Sequence, residues 1–197
     1  MVPGTGSDPE GGAAGTRYRA QLQHDGNQAQ APGAIRGGNI QERGAELPTQ
    51  RDIVTVAVVV YTILEEQLFN NNCSMGADVS IIVKEYDYLG KTTMVFNEKE
   101  NHMEFIIELA ENNFFRDDLL KSLPYIADVL LHEMVHVYCF ARGMFDKLNG
   151  ETVEHGKFFQ KAAEEHGLTV LKDETGRIGT QIKLETIAKV IECFQTA

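Results

Sequence analysis

The chain has 197 residues, 43% of them hydrophobic and 24% charged, and a net charge of −11. This balance excludes collagen-like and coiled-coil chains, and the longest apolar stretch, Val56 to Tyr61, is far too short to cross a bilayer. With no Lys/Arg cluster to set against the acidic surplus, an autonomous nucleic-acid binder is disfavoured.

Of the 18 glycines and 5 prolines, the first fifty residues hold 10 and 4. They carry no sustained apolar periodicity, so residues 1–48 are expected to form a disordered arm. The opening MVPGTGSDPEGG lacks the basic start and apolar run of a secretion signal, which predicts an intracellular protein. Residues 49–197 are enough for one domain with its own core.

From Asp52 the positions Ile53, Val56, Ala57, Val60, Ile63 and Leu64 follow a helical spacing. The β-branched run Ile53 to Val60 pulls toward strand, but the pattern continues to about Asn70 and predicts a helix. Val79–Lys84, Thr92–Asn97 and His102–Leu109 read as three strands with short turns between them. They predict a small, mostly antiparallel three-stranded sheet. A break follows at Asn112 and Asn113.

A long helix is predicted from about Ser122 to Arg142, with Ser122 as N-cap and Pro124 in its first turn. Its apolar face includes Leu123, Ile126, Leu130, Leu131, Met134 and Val137, broad enough to make it central to the core. Lys147–Glu154 reads as a polar loop around Asn149-Gly150. A third helix starts at His155 or Gly156 and ends at Glu165, closed by His166-Gly167. Leu168–Thr180 reads as a loop, and Gln181–Phe194 as a last helix. The sum is an α+β domain with helices on one side of a small sheet.

Within the long helix stands His132-Glu133-Met134-Val135-His136, an H-E-x-x-H. Residues four apart share a helix face, so His132 and His136 can offer two imidazole nitrogens to one Zn²⁺. Glu133 is then placed to accept a proton from water acidified by the metal. A third protein ligand is needed, and the candidates are His155, His166, Glu151, Glu154, Glu164 and Glu165. His155 is the best of them. It follows a loop long enough for the chain to turn back, Gly156 allows close approach, and Phe158-Phe159 can pack the third helix on the second. His166 reads as a surface or capping residue, and His24 and His102 have no partner motif. Cys73, Cys139 and Cys193 form no CxxC, so a cysteine zinc ribbon is excluded. Cys139 and Arg142 stand where a metzincin would have Gly and His, which excludes that class. Tyr138 and Cys139 read as packing.

His132-Glu-Met-Val-His136, led in by Asp128-Val-Leu-Leu131 and followed by Glu154-His155-Gly156-Lys157-Phe158-Phe159, resembles the SprT-like metallopeptidase domain. This is the domain of Spartan-type DNA–protein crosslink proteases and bacterial SprT proteins. The resemblance covers about residues 50 to 170 and is sharpest from 128 to 166. It implies a zincin-like fold in which His132, His136 and His155 bind one Zn²⁺ and Glu133 is catalytic. The expected activity is a zinc-dependent metalloprotease that hydrolyses peptide bonds. Its expected partner is a protein or peptide segment held in extended form along a sheet edge. A zinc-binding structural or interaction module without turnover is the alternative. Family likeness points to DNA-associated substrates and the nucleus, with the cytoplasm otherwise expected; charge does not support DNA association. Glu154 stands where the family usually has Gly, and no cysteine-rich ribbon or basic tail follows. A monomer is expected.

Overall fold

The computed structural model describes residues 18–20, 50–111 and 119–196. They form an α+β arrangement of four helices and three small sheets. No described helix is long and apolar enough to cross a membrane.

Helix α1 (Gln50–Leu68) forms despite its β-branched run. Ile53, Val54, Ala57, Val60, Tyr61 and Leu64 are all buried, so tertiary packing against α2 (Leu119–Ala141) overrides local strand preference. Asn70 and Asn71 end it with φ of 52° and 56°, a left-handed geometry that asparagine tolerates better than most residues.

The main sheet has the order β1 (Tyr18–Ala20), β2 (Asp78–Lys84), β4 (His102–Ala110), β3 (Gly90–Asn97). β2 runs parallel to both β1 and β4, and only β3 and β4 pair antiparallel. The expected mostly antiparallel, three-stranded sheet is therefore corrected to a four-stranded one in which parallel pairs predominate. The reason lies in burial. β4 carries Phe105, Ile107 and Leu109, all essentially inaccessible, and takes an interior position between β2 and β3. β3, with exposed Met94, Val95 and Phe96, is left at the edge. Strands consecutive in sequence usually neighbour one another, and β2 and β3 do not.

β1 lies within residues 1–48, the segment expected to form a disordered arm. The rest of that expectation falls on residues 1–17 and 21–48, outside the described residues, as does the break at Asn112 and Asn113.

Alternate residues of β2 (Val79, Ile81, Val83) and β4 turn into the core, where α1 and α2 pack on them. α2 begins at Leu119, a turn earlier than predicted, so Ser122 is buried inside the helix and Pro124 also lies within it. The polar loop at Asn149-Gly150 is a hairpin turn joining β5 (Asp146–Leu148) to β6 (Glu151–Val153). Both turn residues have positive φ, 54° and 90°, as the tight primed turn requires. Helix α3 (Lys157–Glu165) follows. The expected loop over Leu168–Thr180 is a second hairpin, β7 (Leu168–Lys172) paired with β8 (Ile178–Ile182). Its tip is tied by Asp173, whose Oδ1 accepts from the N–H groups of Thr175 and Arg177, both at 2.9 Å. Helix α4 (Leu184–Thr196) completes the order.

Glu65 of α1 is buried, and its Oε1 accepts the Cys73 N–H at 3.0 Å. Burial pushes its pKa up, against the pull of that hydrogen bond. Nearby, Arg142 donates to the carbonyls of Cys73 (2.9 Å) and Asn72 (2.6 Å), its guanidinium 3.7 Å from the Tyr138 ring centre. Together they clamp the loop between α1 and β2 onto the end of α2. Glu65→Ala would strand a buried N–H and open a cavity, so it is expected to cost about 2–4 kcal/mol. A urea midpoint unchanged from the parent would refute this.

Candidate metal centre

Helix α2 sets His132 and His136 one turn apart, with ring centres 5.0 Å from each other. The third ring arrives by a different route. The β5–β6 hairpin turns the chain back, and α3 packs on α2 through buried Phe159, Ala162 and Ala163. His155 lies in the turn before α3 rather than in the helix itself, whose N-cap is Gly156. Asp146 Oδ2 accepts the Phe158 N–H at 2.8 Å and so caps the helix start, and Gln160 Nε2 donates to the His155 carbonyl at 2.8 Å. A Cβ on Gly156 would fall 2.4 Å from the Asp146 side chain. The nearest atoms to a side chain at Gly156 would thus be those of Asp146.

His155 Nε2 lies 3.2 Å from His132 Nε2 and 3.2 Å from His136 Nε2. A tetrahedral ion with metal–nitrogen bonds of about 2.05 Å separates its ligands by about 3.3 Å, the same spacing. One proton could bridge one such pair of nitrogens. Three ring nitrogens gathered this closely are a group that could hold one metal ion. Among the described residues, His132, His136 and His155 form one of two groups able to hold a metal. The other, Glu100, His102 and Glu104, sits around the exposed β3–β4 turn, where Asp78 also faces His102.

Phe159 packs against all three imidazoles, with centroid distances of 5.0, 4.4 and 4.7 Å. Strand β8 orients two of them. His132 Nδ1 is hydrogen-bonded with Thr180 Oγ1 at 2.7 Å, and His155 faces the Ile178 backbone. Burial pushes His132 down to about 4 and His136 to about 3, with the neighbouring rings adding to each. Burial also lowers His155, helped by Arg177 and opposed by Glu154 and the Ile178 bond. The rings are therefore neutral near pH 7, the state a metal ligand requires.

Glu133 is only 4% exposed. The Thr92 hydroxyl of β3 lies 2.8 Å from its Oε2 and 3.0 Å from its main-chain oxygen. Burial raises its pKa to about 7, with Thr92 opposing and Glu154 adding. Gly90 makes the approach of β3 possible, since a Cβ there would fall 2.8 Å from Glu133 Oε1 and 2.7 Å from Val129 Cγ1. His132, Glu133 and His155 open into a cleft of ≈ 620 Å³ between Tyr88–Gly90 and the β7–β8 hairpin.

The remaining candidates stand apart. His166 caps α3 and stacks on Phe69 at 4.3 Å, half-buried. Glu151, Glu154, Glu164 and Glu165 are exposed and none joins the cluster. Cys139 is buried, and Tyr138 packs between Phe69, His166 and Arg142. His24 lies outside the described residues. Thr92, Gly90, Ile178 and Thr180 carry no signal in the sequence, because each acts through a contact more than thirty residues away in the chain or through a hairpin with too short a pattern to be read. In comparisons with family models, curated proteins and solved structures, nothing matches this chain.

The depressed rings set a pH dependence for the metal-free fold. Unfolded, each takes up a proton near its ordinary value of 6.5; folded, His132 and His136 wait until about 4 and 3. Their stabilising contribution is whole above pH 6.5 and is lost as pH falls through that window. Glu133, raised from 4.5 to about 7, acts in the opposite sense as pH rises. In chelator-treated protein, the ring resonances of His132 and His136 should stay in their neutral positions at pH 5.5. His136→Asn should lose less stability than the parent between pH 6.5 and 4. Rings titrating near 6.5 would contradict the burial described.

Proposed function

We propose that this chain is a zinc-dependent metallopeptidase of SprT-like, zincin-like type, with His132, His136 and His155 as zinc ligands and Glu133 as general base. The observation that carries the reading is the gathering of three imidazoles, with His155 Nε2 at 3.2 Å from the Nε2 atoms of both His132 and His136 and with Glu133 lining the same cleft. Three neutral imidazoles suit zinc, and a site closed by only three protein ligands leaves room for reacting groups. Bound there, zinc supplies Lewis acidity toward water and toward a carbonyl oxygen.

The protein's own residues do the rest. Glu133, with its pKa near 7, is poised to take up a proton from the attacking water and return it to the departing amine. Thr92 holds that carboxylate from β3, while Gly90 admits it beside the strand. Thr180 and Ile178 fix two rings so that their lone pairs stay on target. The cleft is open enough to receive a polypeptide segment, and the substrate class is a protein or peptide. Proteins bound to DNA are the substrates that the resemblance implies, while the −11 charge gives DNA itself no evident grip.

A zinc-binding module without turnover is the second reading. It gives Glu133 no role, although a buried carboxylate costs stability and ligation by three histidines does not call for one.

Glu133→Gln keeps the size of the side chain but cannot accept a proton. It is expected to retain one zinc per chain and to lose about 10²–10⁴-fold in the rate of hydrolysis of an unfolded protein. Chelation should abolish activity in the parent. Equal rates for parent and variant would overturn the mechanism, and a zinc-loaded but inactive parent would favour the module.

A further inference from the structure

Strand β3 is an edge of the main sheet among the described residues, so one side of its backbone is free to pair. Its side chains alternate, and because Thr92 reaches Glu133, the face shared by Gly90, Thr92, Met94 and Phe96 is the one turned toward α2. The first two lie against the Glu133 side chain. The next two are large apolar side chains left 44% and 53% exposed.

Met94 does not stand alone. With Phe140 and Phe145 it lines a groove of ≈ 600 Å³ bounded also by Lys91, Thr92 and the β5–β6 hairpin. Its aromatic side leads back to the metal centre: the Phe145 ring is 5.7 Å from Phe140, and Phe140 stacks 5.8 Å from His136. The His132–Glu133 cleft reaches β3 at its first residue, Gly90, and this groove begins at Lys91. The two cavities thus adjoin at consecutive residues of one open strand, Gly90 and Lys91. A ligand that spans both while pairing with a strand edge is an extended polypeptide.

We propose that the Met94–Phe140–Phe145 groove is the side-chain subsite of this peptidase, taking one large apolar residue (Leu, Met or Phe) of a substrate strand laid along β3. The proposal deepens the peptidase reading and rests on it for the position of the scissile bond. Two residues of strand, about 7 Å, separate Thr92 from Met94, which puts the apolar residue within one or two positions of that bond.

The test uses the full chain and labelled decapeptides of Gly, Ser and Thr carrying one Phe, or Ala in its place. Binding to Glu133→Gln protein is read by fluorescence anisotropy, and cleavage by the parent is read by mass spectrometry. The Phe peptide should bind at least about tenfold tighter than the Ala peptide. It should be cut at one fixed distance from Phe. Met94→Glu, at an exposed position, should erase the preference while leaving zinc content unchanged; Phe145→Ala should weaken it.

Equal binding of the two peptides, or cleavage without regard to Phe, would overturn the subsite and leave the peptidase standing. Discrimination in binding with no cleavage by the parent would overturn hydrolysis and keep the groove as a peptide-binding site. Concentration-dependent dimers that Met94→Glu dissolves would assign the surface to a second copy of the chain and overturn the proposal.

Discussion

Everything in this molecule is arranged around the need to cover α2. Its sequence is apolar on nearly every side, so no single partner can shield it from water. α1 covers one flank, β3 and β4 another, α3 a third, and α4 and β8 complete the enclosure. The polar groups His132, Glu133 and His136 are carried into the interior by that packing. Desolvation then dictates their protonation: the imidazoles stay neutral, and the carboxyl is lifted into the range where it exchanges protons near neutrality. The packing that stabilises the fold is thus also what sets the protonation of these three groups.

The helices are legible in the sequence because their signal is long. Nineteen residues of α1 and 23 of α2 give several turns over which a 3.6-residue period outweighs local β-branching. The first two histidines of the cluster are legible for the same reason, since His132 and His136 sit within that period. His155 is reachable because a loop, a glycine and a phenylalanine pair mark out the start of a recognisable helix just after it. Sheet order is not legible. β2, β3 and β4 each announce themselves by alternation, yet nothing local states that β4 intrudes between the other two. That outcome depends on which strand has most apolar area to hide, a comparison made only once the layers meet.

The β7–β8 hairpin shows how a support can be invisible while its client is plain. Its strands are five residues each and mostly exposed, so the period-2 pattern hardly rises above loop composition. It nevertheless holds two of the three clustered rings, through Thr180 and Ile178. Its tip is tied by the Asp173 carboxylate, which accepts the Thr175 and Arg177 N–H groups. Such groups are chosen by position alone, because any hydroxyl or carbonyl delivered to the same point would serve.

Gly156 and Asp146 are ten residues apart in the chain, but the structure joins them. The Asp146 carboxylate occupies the space a Cβ at position 156 would need, and it holds the first turn of the helix that follows His155. Neither position can vary freely while the other is kept. A side chain at 156 evicts the cap, and a bulkier residue at 146 pushes the turn, and His155 with it, away from α2. In any set of related sequences these two sites should drift together as one character, which makes the pair a marker for chains that preserve the third ring's geometry even where the hairpin between them has changed length.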